Sequence, residues 1–132
     1  MLLKDVKEYL KQLIDCDAWA ISRRNSKAEK SITLYDTTSL LPAPTICIGG
    51  LHNTKTATKG VSILVHWGTN PTEAELKADT IYKAFYGMDY QTYISHYQII
   101  KTELRTGQPV FVGMDSQGIY EYVIDVAIYY NK

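Results

Sequence analysis

Apolar side chains near the start of the chain recur at steps of three and four residues, which is the spacing of an amphipathic helix. They are Leu2, Leu3, Val6, Tyr9, Leu10, Leu13 and Ile14. This pattern predicts a first helix over about residues 2–15. A second helix is predicted from Thr72, which forms a capping-box pair with Glu75, to Gly87, a residue typical of helix C-termini. Its buried stripe comprises Leu76, Ala78, Ile81, Tyr82 and Phe85.

Alternating apolar and polar residues predict strands in the rest of the chain. The predicted strands cover residues 19–22, 31–35, 61–67, 93–104, 109–114 and 119–130. The last of them would span about 37 Å at about 3.4 Å per residue, roughly twice the length of a typical strand. We therefore expect part of it to pair or pack across a subunit boundary.

The order of these elements, helix, strands, helix and strands, predicts a single α+β domain over residues 1–132. Hairpin-length connections favour a mainly antiparallel (mixed) β-sheet with two α-helices packed on one face and a half-polar opposite face. Two connections should project as loops. One covers about residues 23–30 and reads as a mostly basic hairpin connection. The other covers about residues 49–60, is strongly polar, and is expected to be either disordered or an arm that orders against a partner.

Composition narrows the classes of function. The 132 residues carry 14 Lys and Arg against 14 Asp and Glu, so the chain has no formal net charge. This balance argues against a nucleic-acid binder that works by bulk electrostatics, because phosphate neutralisation needs a basic surplus on one face. No apolar run reaches the length of a membrane span, and charged Lys4 and Asp5 lie where a signal peptide would be apolar. We therefore expect a cytoplasmic protein without a membrane partner.

The residue types that carry chemistry are sparse and scattered. His52, His66 and His96 have no second His or Cys at a metal-ligand spacing, and Cys16 and Cys47 form neither a zinc motif nor a disulfide framework. A nucleophile pair of Cys47 with His66 is an alternative that has no local signature. We accordingly expect no catalytic residues, no metal site and no cofactor.

Tyrosine is unusually abundant, with 11 of the 15 aromatic residues. Several follow one another around the end of the second predicted helix: Tyr82, Tyr86, Tyr90, Tyr93 and Tyr97. Tyrosine is enriched at protein interfaces because it is large, has few rotatable bonds and keeps a polar tip. The alternative is that most of these rings lie at the rim of the sheet with solvated hydroxyls.

Three stretches carry a resemblance to a known family. They are residues 63–70 with Thr72 and Glu73, residues 112–126, and Tyr129 with Tyr130. Together they resemble the minor capsid or tail-terminator family of long-tailed bacteriophages and prophages, most clearly over residues 61–131. The resemblance implies a structural virion protein of the phage neck, assembled in the host cytoplasm and without catalytic residues. Such a protein would form a homohexameric ring that caps the tail tube, stops its polymerisation and joins it to the head connector.

The resemblance also implies a set of partners. They are further copies of the chain, the tail-tube protein, the head–tail connector or stopper protein, and genomic DNA that passes through the lumen without specific binding. A heterologous ring needs two unlike patches on each subunit. The candidate interface residues are His52, Asn53, Lys55 and Lys59 in the polar loop, Arg23 and Arg24 in the basic connection, and Tyr86, Tyr90, Tyr93 and Tyr129.

Three alternatives remain open at this point. A head-completion or stopper protein of the same neck would have a similar size and no chemistry, and only its partner would distinguish it. A small enzyme would need Cys47, His66 and a carboxylate assembled by the fold. A toxin–antitoxin or other regulatory binding module fits poorly with the neutral charge and the missing DNA-reading helix.

Overall fold

A mixed β-sheet with two α-helices on one of its faces makes up the protein. The computed structural model describes residues 1–23, 28–37, 41–44 and 46–132. The helices are α1 (Leu3–Leu13) and α2 (Pro71–Ala84), and a short 3-10 turn covers Leu51–Asn53. The strands are β1 (Ala18–Ile21), β2 (Lys30–Asp36), β3 (Thr56–Trp67), β4 (Tyr93–Ile94), β5 (Tyr97–Leu104), β6 (Val110–Met114) and β7 (Tyr120–Asn131). Neither helix of these described ranges is long and apolar enough to cross a membrane.

The sheet is built around its two longest strands, β3 and β7. Its order is β1-β2-β3-β7-β5-β4, and β6 pairs with β7 beside β5. Strands β3 and β7 are antiparallel and in register from Thr56 opposite Asn131 to His66 opposite Glu121. All the described strand pairs are antiparallel except β1 with β2. The predicted α+β class with a mainly antiparallel, mixed sheet is confirmed.

One hydrophobic core lies between the helices and the sheet. Alternate residues of the central strands point into it, because side chains on a strand alternate between the two faces. The strand contribution includes Ile32, Leu34, Val61, Ile63, Val65, Ile124, Val126 and Ile128. The helices contribute Leu3, Val6 and Leu10 from α1 and Ala74 and Ile81 from α2, and Phe85, the C-cap of α2, adds its ring. The opposite face of the sheet mixes polar and apolar residues, including Ser62, whose hydroxyl donates a hydrogen bond to Asp125.

Strand β3 begins at Thr56, five residues before the predicted start at Val61. The prediction of a loop over 49–60 is therefore wrong for its second half. Threonine is β-branched and favours a pleated strand, and Thr56 and Thr58 pair with Asn131 and Tyr129 of β7. The expectation that part of β7 pairs across a subunit boundary is also wrong, because β3 matches it along nearly its whole length.

Two further connections differ from the predictions. Strands β1 and β2 run parallel, so the segment between them is not a hairpin; residues 24–27 of that segment lie outside the described residues. Before β3, an isolated bridge pairs Cys47 with Gly50 at the start of the predicted 49–60 loop. Residues 93–104 form two strands because the chain turns at Ser95, which has a positive φ of 57°.

The start of α2 also differs from its prediction. The N-cap is Asn70, whose side-chain oxygen accepts hydrogen bonds from the backbone N–H groups of Thr72 and Glu73. Pro71 occupies the first helical position, where its missing N–H has no cost. Asparagine is at least as strong an N-cap as threonine, so the cap lies two residues before the predicted cap at Thr72. Gly87 follows the helix with a φ of 67°, as expected for a C-terminal glycine.

Candidate interaction surfaces

The loop before β3 exposes large apolar side chains. We call residues 46–53 the loop tip. Within it Ile48 is 100% exposed and Ile46 74%, and Leu51 is about half exposed. The tip has internal structure, because the Gly50 N–H donates to the Cys47 carbonyl at 3.0 Å and the Asn53 amide donates to the Ile48 carbonyl at 3.0 Å. The fold therefore exposes these apolar side chains to solvent on a hydrogen-bonded turn.

The base of this loop lies against the half-polar face of the sheet. Residues 41–44 line a cavity of about 360 Å³ together with Thr56, Ala57 and Thr58 of β3, Ile100 and Lys101 of β5, Tyr129 of β7, and Lys132. The Lys101 ammonium lies 4.7 Å from the centre of the Tyr129 ring, and the Tyr129 hydroxyl donates to Glu103 at 3.3 Å. Burial and the Glu103 carboxylate raise the pKa of Tyr129.

Strand β6 forms a second exposed apolar surface, which we call the β6 edge. Val110, Phe111, Val112 and Met114 are between 43% and 59% exposed. A groove of about 490 Å³ separates β6 from α2, and Phe111 and Tyr122 line it. Its other lining residues are Thr72, Glu75, Leu76, Asp79, Gln108 and Pro109. Burial and the nearby Glu75 carboxylate raise the pKa of Tyr122.

At the far end of β3, His66 holds the turn that precedes β7. Its Nε2 lies 2.7 Å from the Asp115 carboxylate, and the imidazole is buried. The other oxygen of Asp115 accepts backbone hydrogen bonds from Gln117 at 2.8 Å and Ile119 at 3.0 Å. These hydrogen bonds, with that of His66 the largest cause, lower the pKa of Asp115 to about 2. The carboxylate therefore stays ionised at neutral pH and ties the turn to the sheet.

Within the described ranges, this cluster contains the side chains whose arrangement is most similar to a set of metal ligands. One atom each of His66, Asp115 and Glu121 lie within 4.8 Å of one another. Zinc would need its ligand nitrogen and oxygens at about 2.0–2.2 Å from the ion. The 2.7 Å separation of His66 from Asp115 is instead that of a direct hydrogen bond. The present arrangement therefore serves as a structural link, and a metal would have to push these two groups apart.

The structure distributes the predicted interface residues over several places. His52 and Asn53 lie in the loop tip, and Lys55 follows it, exposed. Lys59 lies in β3 and forms an ion pair with Asp36 at 2.7 Å, so it belongs to the sheet and not to a projecting loop. Arg23 is exposed just after β1, and Arg24 lies outside the described residues.

The tyrosines fall into two further groups. Tyr86, Tyr90 and Tyr93 are exposed on the segment that follows α2. Tyr86 stacks edge to face on Tyr82 with ring centres 5.2 Å apart. Tyr129 lies apart from them, at the base of the loop. The described tyrosines of the candidate set therefore do not form one patch.

The structure does not form the suggested nucleophile pair. Cys47 is exposed in the loop tip, and its sulfur accepts a hydrogen bond from Thr54, just before β3 begins. His66 lies at the other end of β3 and is engaged by Asp115. Ten residue steps from Thr56 to His66 span about 34 Å at about 3.4 Å each. The two groups are therefore too far apart to act together.

Sequence reasoning missed both exposed apolar surfaces. The predicted strand over 109–114 is rich in apolar residues, and Ile46 and Ile48 before the polar loop are apolar too, which normally indicates burial. The run Val110-Phe111-Val112 does not alternate with polar residues, and this lack of alternation is the one signal that could have marked it as unusual. The pairing of His66 with Asp115 had no local signal, since 49 positions separate them.

Comparison with known proteins adds an independent observation. Residues 26–132 match the family model described as bacteriophage tail terminator protein. No curated protein matches the chain. The matched range contains the loop tip, the β6 edge and the link between His66 and Asp115. It covers most of the sequence, and the chain therefore belongs to the bacteriophage tail terminator family.

Proposed function

We propose that this chain forms a homohexameric ring that caps the phage tail tube, stops its polymerisation and joins it to the head connector. Membership of the tail terminator family gives the chain a structural role in the phage tail, as a component of the virion. The family match over residues 26–132 is the observation that carries the proposal. Two features of the fold support it, namely the apolar loop tip and the placement of that tip relative to the turn at Asp115.

The loop tip would contact the last ring of the tube. A large apolar side chain contributes about 1.5–3 kcal/mol when it is fully buried. Ile46, Ile48 and Leu51 are exposed in the isolated chain, so a partner surface can bury them. Each subunit of a closed ring presents one loop tip. Because all the tips bind the tube end at the same time, contacts that are weak individually give a high combined affinity. A growing tube that has bound such a ring no longer offers its end to the next tube subunit.

The fold places the loop tip and the turn at Asp115 at opposite ends of β3, as a protein that connects two other components requires. The loop tip precedes β3 at Thr56, whereas the turn held by His66 and Asp115 lies beside the other end of the strand. These ends are about 34 Å apart at about 3.4 Å per residue. One ring face would therefore meet the tube through the loop tip, and the opposite face would meet the head connector through the turn at residues 115–118. Genomic DNA would pass through the lumen without being held.

Electron microscopy of tail-tube protein polymerised with and without this chain tests the proposal. With the wild-type chain we expect shorter tubes that end in an extra ring. Ile48→Asp places a charge at the fully exposed tip and should abolish capping while the chain stays folded. Leu13→Asp is the matched control, because Leu13 is 56% exposed at the end of α1. Its tubes should be capped as in wild type.

Two results would contradict the proposal. Normal capping by Ile48→Asp would refute the role of the loop tip. A wild-type chain that leaves tube growth unchanged but binds the head connector would instead be a head-completion protein.

A further inference from the structure

The β6 edge is a free sheet edge with an apolar surface. Strand β6 pairs with β7 on one side, and within the described part of the chain no strand pairs with its other side. Soluble proteins usually protect such edges with charged residues, proline or a covering segment. Val110–Met114 contains no charged residue, and four of its five residues carry exposed apolar side chains. An edge of this kind is a template for another strand.

Strand β1 is the free edge at the opposite end of the sheet. It pairs with β2 only, again among the described residues, and contains the four residues Ala18–Ile21. Trp19 and Ile21 pack against the core, so the strand is held in place before any partner arrives. Its length is close to that of the five-residue β6. The two edges can therefore pair without either strand having to fold first.

The charges beside the two edges differ. The charged residues that line the groove next to β6 are Glu75 and Asp79, both acidic. Asp79 forms an ion pair with Lys83 at 2.9 Å on the exposed side of α2. At the other edge the charges are mixed, because Asp17 is exposed one residue before β1 and Arg23 is exposed two residues after it. Two copies of the β6 edge would bring their acidic groups together, so contact of β6 with the β1 edge is favoured over contact between two copies of β6.

We propose that the β6 edge of one copy pairs with β1 of the next copy, so that the sheet continues from subunit to subunit. This inference rests on the proposed function, because it states how the ring is held together. Main-chain hydrogen bonds between the strands would supply affinity, and the apolar side chains of β6 would supply buried area. A contact between two different edges is head-to-tail, and such a contact closes into a ring when the rotation per subunit allows it.

Thiol cross-linking tests which edges meet. The native thiols are first replaced, as Cys16→Ser and Cys47→Ser, and Ala20→Cys and Val112→Cys are then introduced singly or together. With a short bifunctional thiol reagent, the double variant should give a ladder of cross-linked oligomers. A mixture of the two single variants should give dimers only, and each single variant alone should give none. Dimers from Val112→Cys alone would indicate pairing of like edges and would overturn the proposal.

A second variant separates this inference from the proposed function. Val112→Lys puts a charge on the exposed β6 edge and should weaken ring assembly at least about tenfold, which corresponds to about 1.4 kcal/mol. Leu13→Lys is the matched control on α1. Normal rings from Val112→Lys would overturn the edge pairing and leave the ring function standing. Specific cross-links without rings would support the pairing and contradict the hexameric ring, and the absence of both would contradict both.

Discussion

Gly60 is the residue at which the revised start of β3 can be tested most sharply. It is buried in the strand, and a Cβ built on it would lie 2.1 Å from the Cγ2 of Thr37 and 3.1 Å from both terminal methyl groups of Leu41. Gly60→Ala therefore forces an overlap with a short, β-branched side chain whose rotamers are restricted. In a projecting loop over residues 49–60, the same change would meet nothing.

The expected cost follows from two opposing contributions. Forcing an extra methyl group into a well-packed site costs about 1–3 kcal/mol. Replacing glycine by alanine also restricts the unfolded chain, which stabilises the folded state by about 0.4–1 kcal/mol. The central values of about 2 and about 0.7 kcal/mol leave a net loss of about 1.3 kcal/mol. For a domain of this size, about 3–5 °C of Tm corresponds to each kcal/mol, so Tm should fall by about 4–7 °C.

Urea unfolding followed by circular dichroism measures this loss, with two comparison variants. Gly107→Ala is the matched control, because no atom lies within 4 Å of its added Cβ. It should be neutral or slightly stabilising. Thr37→Ser removes the methyl group that clashes and keeps the hydroxyl, so it should recover part of the stability lost by Gly60→Ala. Equal stability of Gly60→Ala and Gly107→Ala would refute the packing described at Gly60.

Three further predictions concern the helix cap, the turn before β7 and one hydrogen bond. Asn70→Ala removes the acceptor of two backbone N–H groups and should cost about 0.5–2 kcal/mol in urea unfolding, whereas an unchanged midpoint would contradict the cap. The pKa of Asp115 is about 2 in the fold, below its ordinary 3.8, so its contribution to stability is complete above pH 3.8 and is lost as pH falls toward 2. Asp115→Asn should therefore lose less stability than wild type over this window, and parallel acid-unfolding profiles would argue against the link to His66. Tyr82→Phe deprives the Thr106 carbonyl of its 2.6 Å donor and should lower the free energy of unfolding by about 0.5–1.5 kcal/mol; an unchanged Tm would show that this bond is unimportant.

The buried faces of α1 and of the last strand could be predicted from their hydrophobic periodicity, whereas Leu76 of the predicted buried stripe of α2 is 63% exposed. Leu3, Val6 and Leu10 repeat on one face of α1, and all three are buried as expected. Ile124, Val126 and Ile128 alternate in β7, and they too are buried. In both cases the local pattern contains the information that decides burial.

The start of β3 could not be predicted because its pattern is incomplete. Thr56, Thr58 and Lys59 are polar, yet they pair with β7 and their neighbours come from distant parts of the chain. Lys59 is accommodated by its ion pair with Asp36 of β2, a partner 23 positions away. Strand assignment here depends on the register with β7, which no local window of sequence contains.

The candidate surfaces were missed for the opposite reason. Val112 and Ile48 have residue types that normally indicate burial, and the one local signal of exposure is the lack of alternation around Val112. Exposure depends on which element covers a residue, and this is a property of the topology. Strand β6 is exposed because no described strand covers its outer side. Ile48 is exposed because it lies in a turn of the loop before β3.

The central place of β7 also constrains how the protein is made. Strands β3, β5 and β6 all pair with β7, and a ribosome synthesises β7 after all three. A nascent chain that lacks Tyr120–Asn131 exposes an edge of β3 and lacks Ile124 and Ile128 of the core. Such an edge can pair with the same segment of another nascent chain. The yield of folded protein therefore depends on how fast β7 docks compared with how often unfinished chains meet.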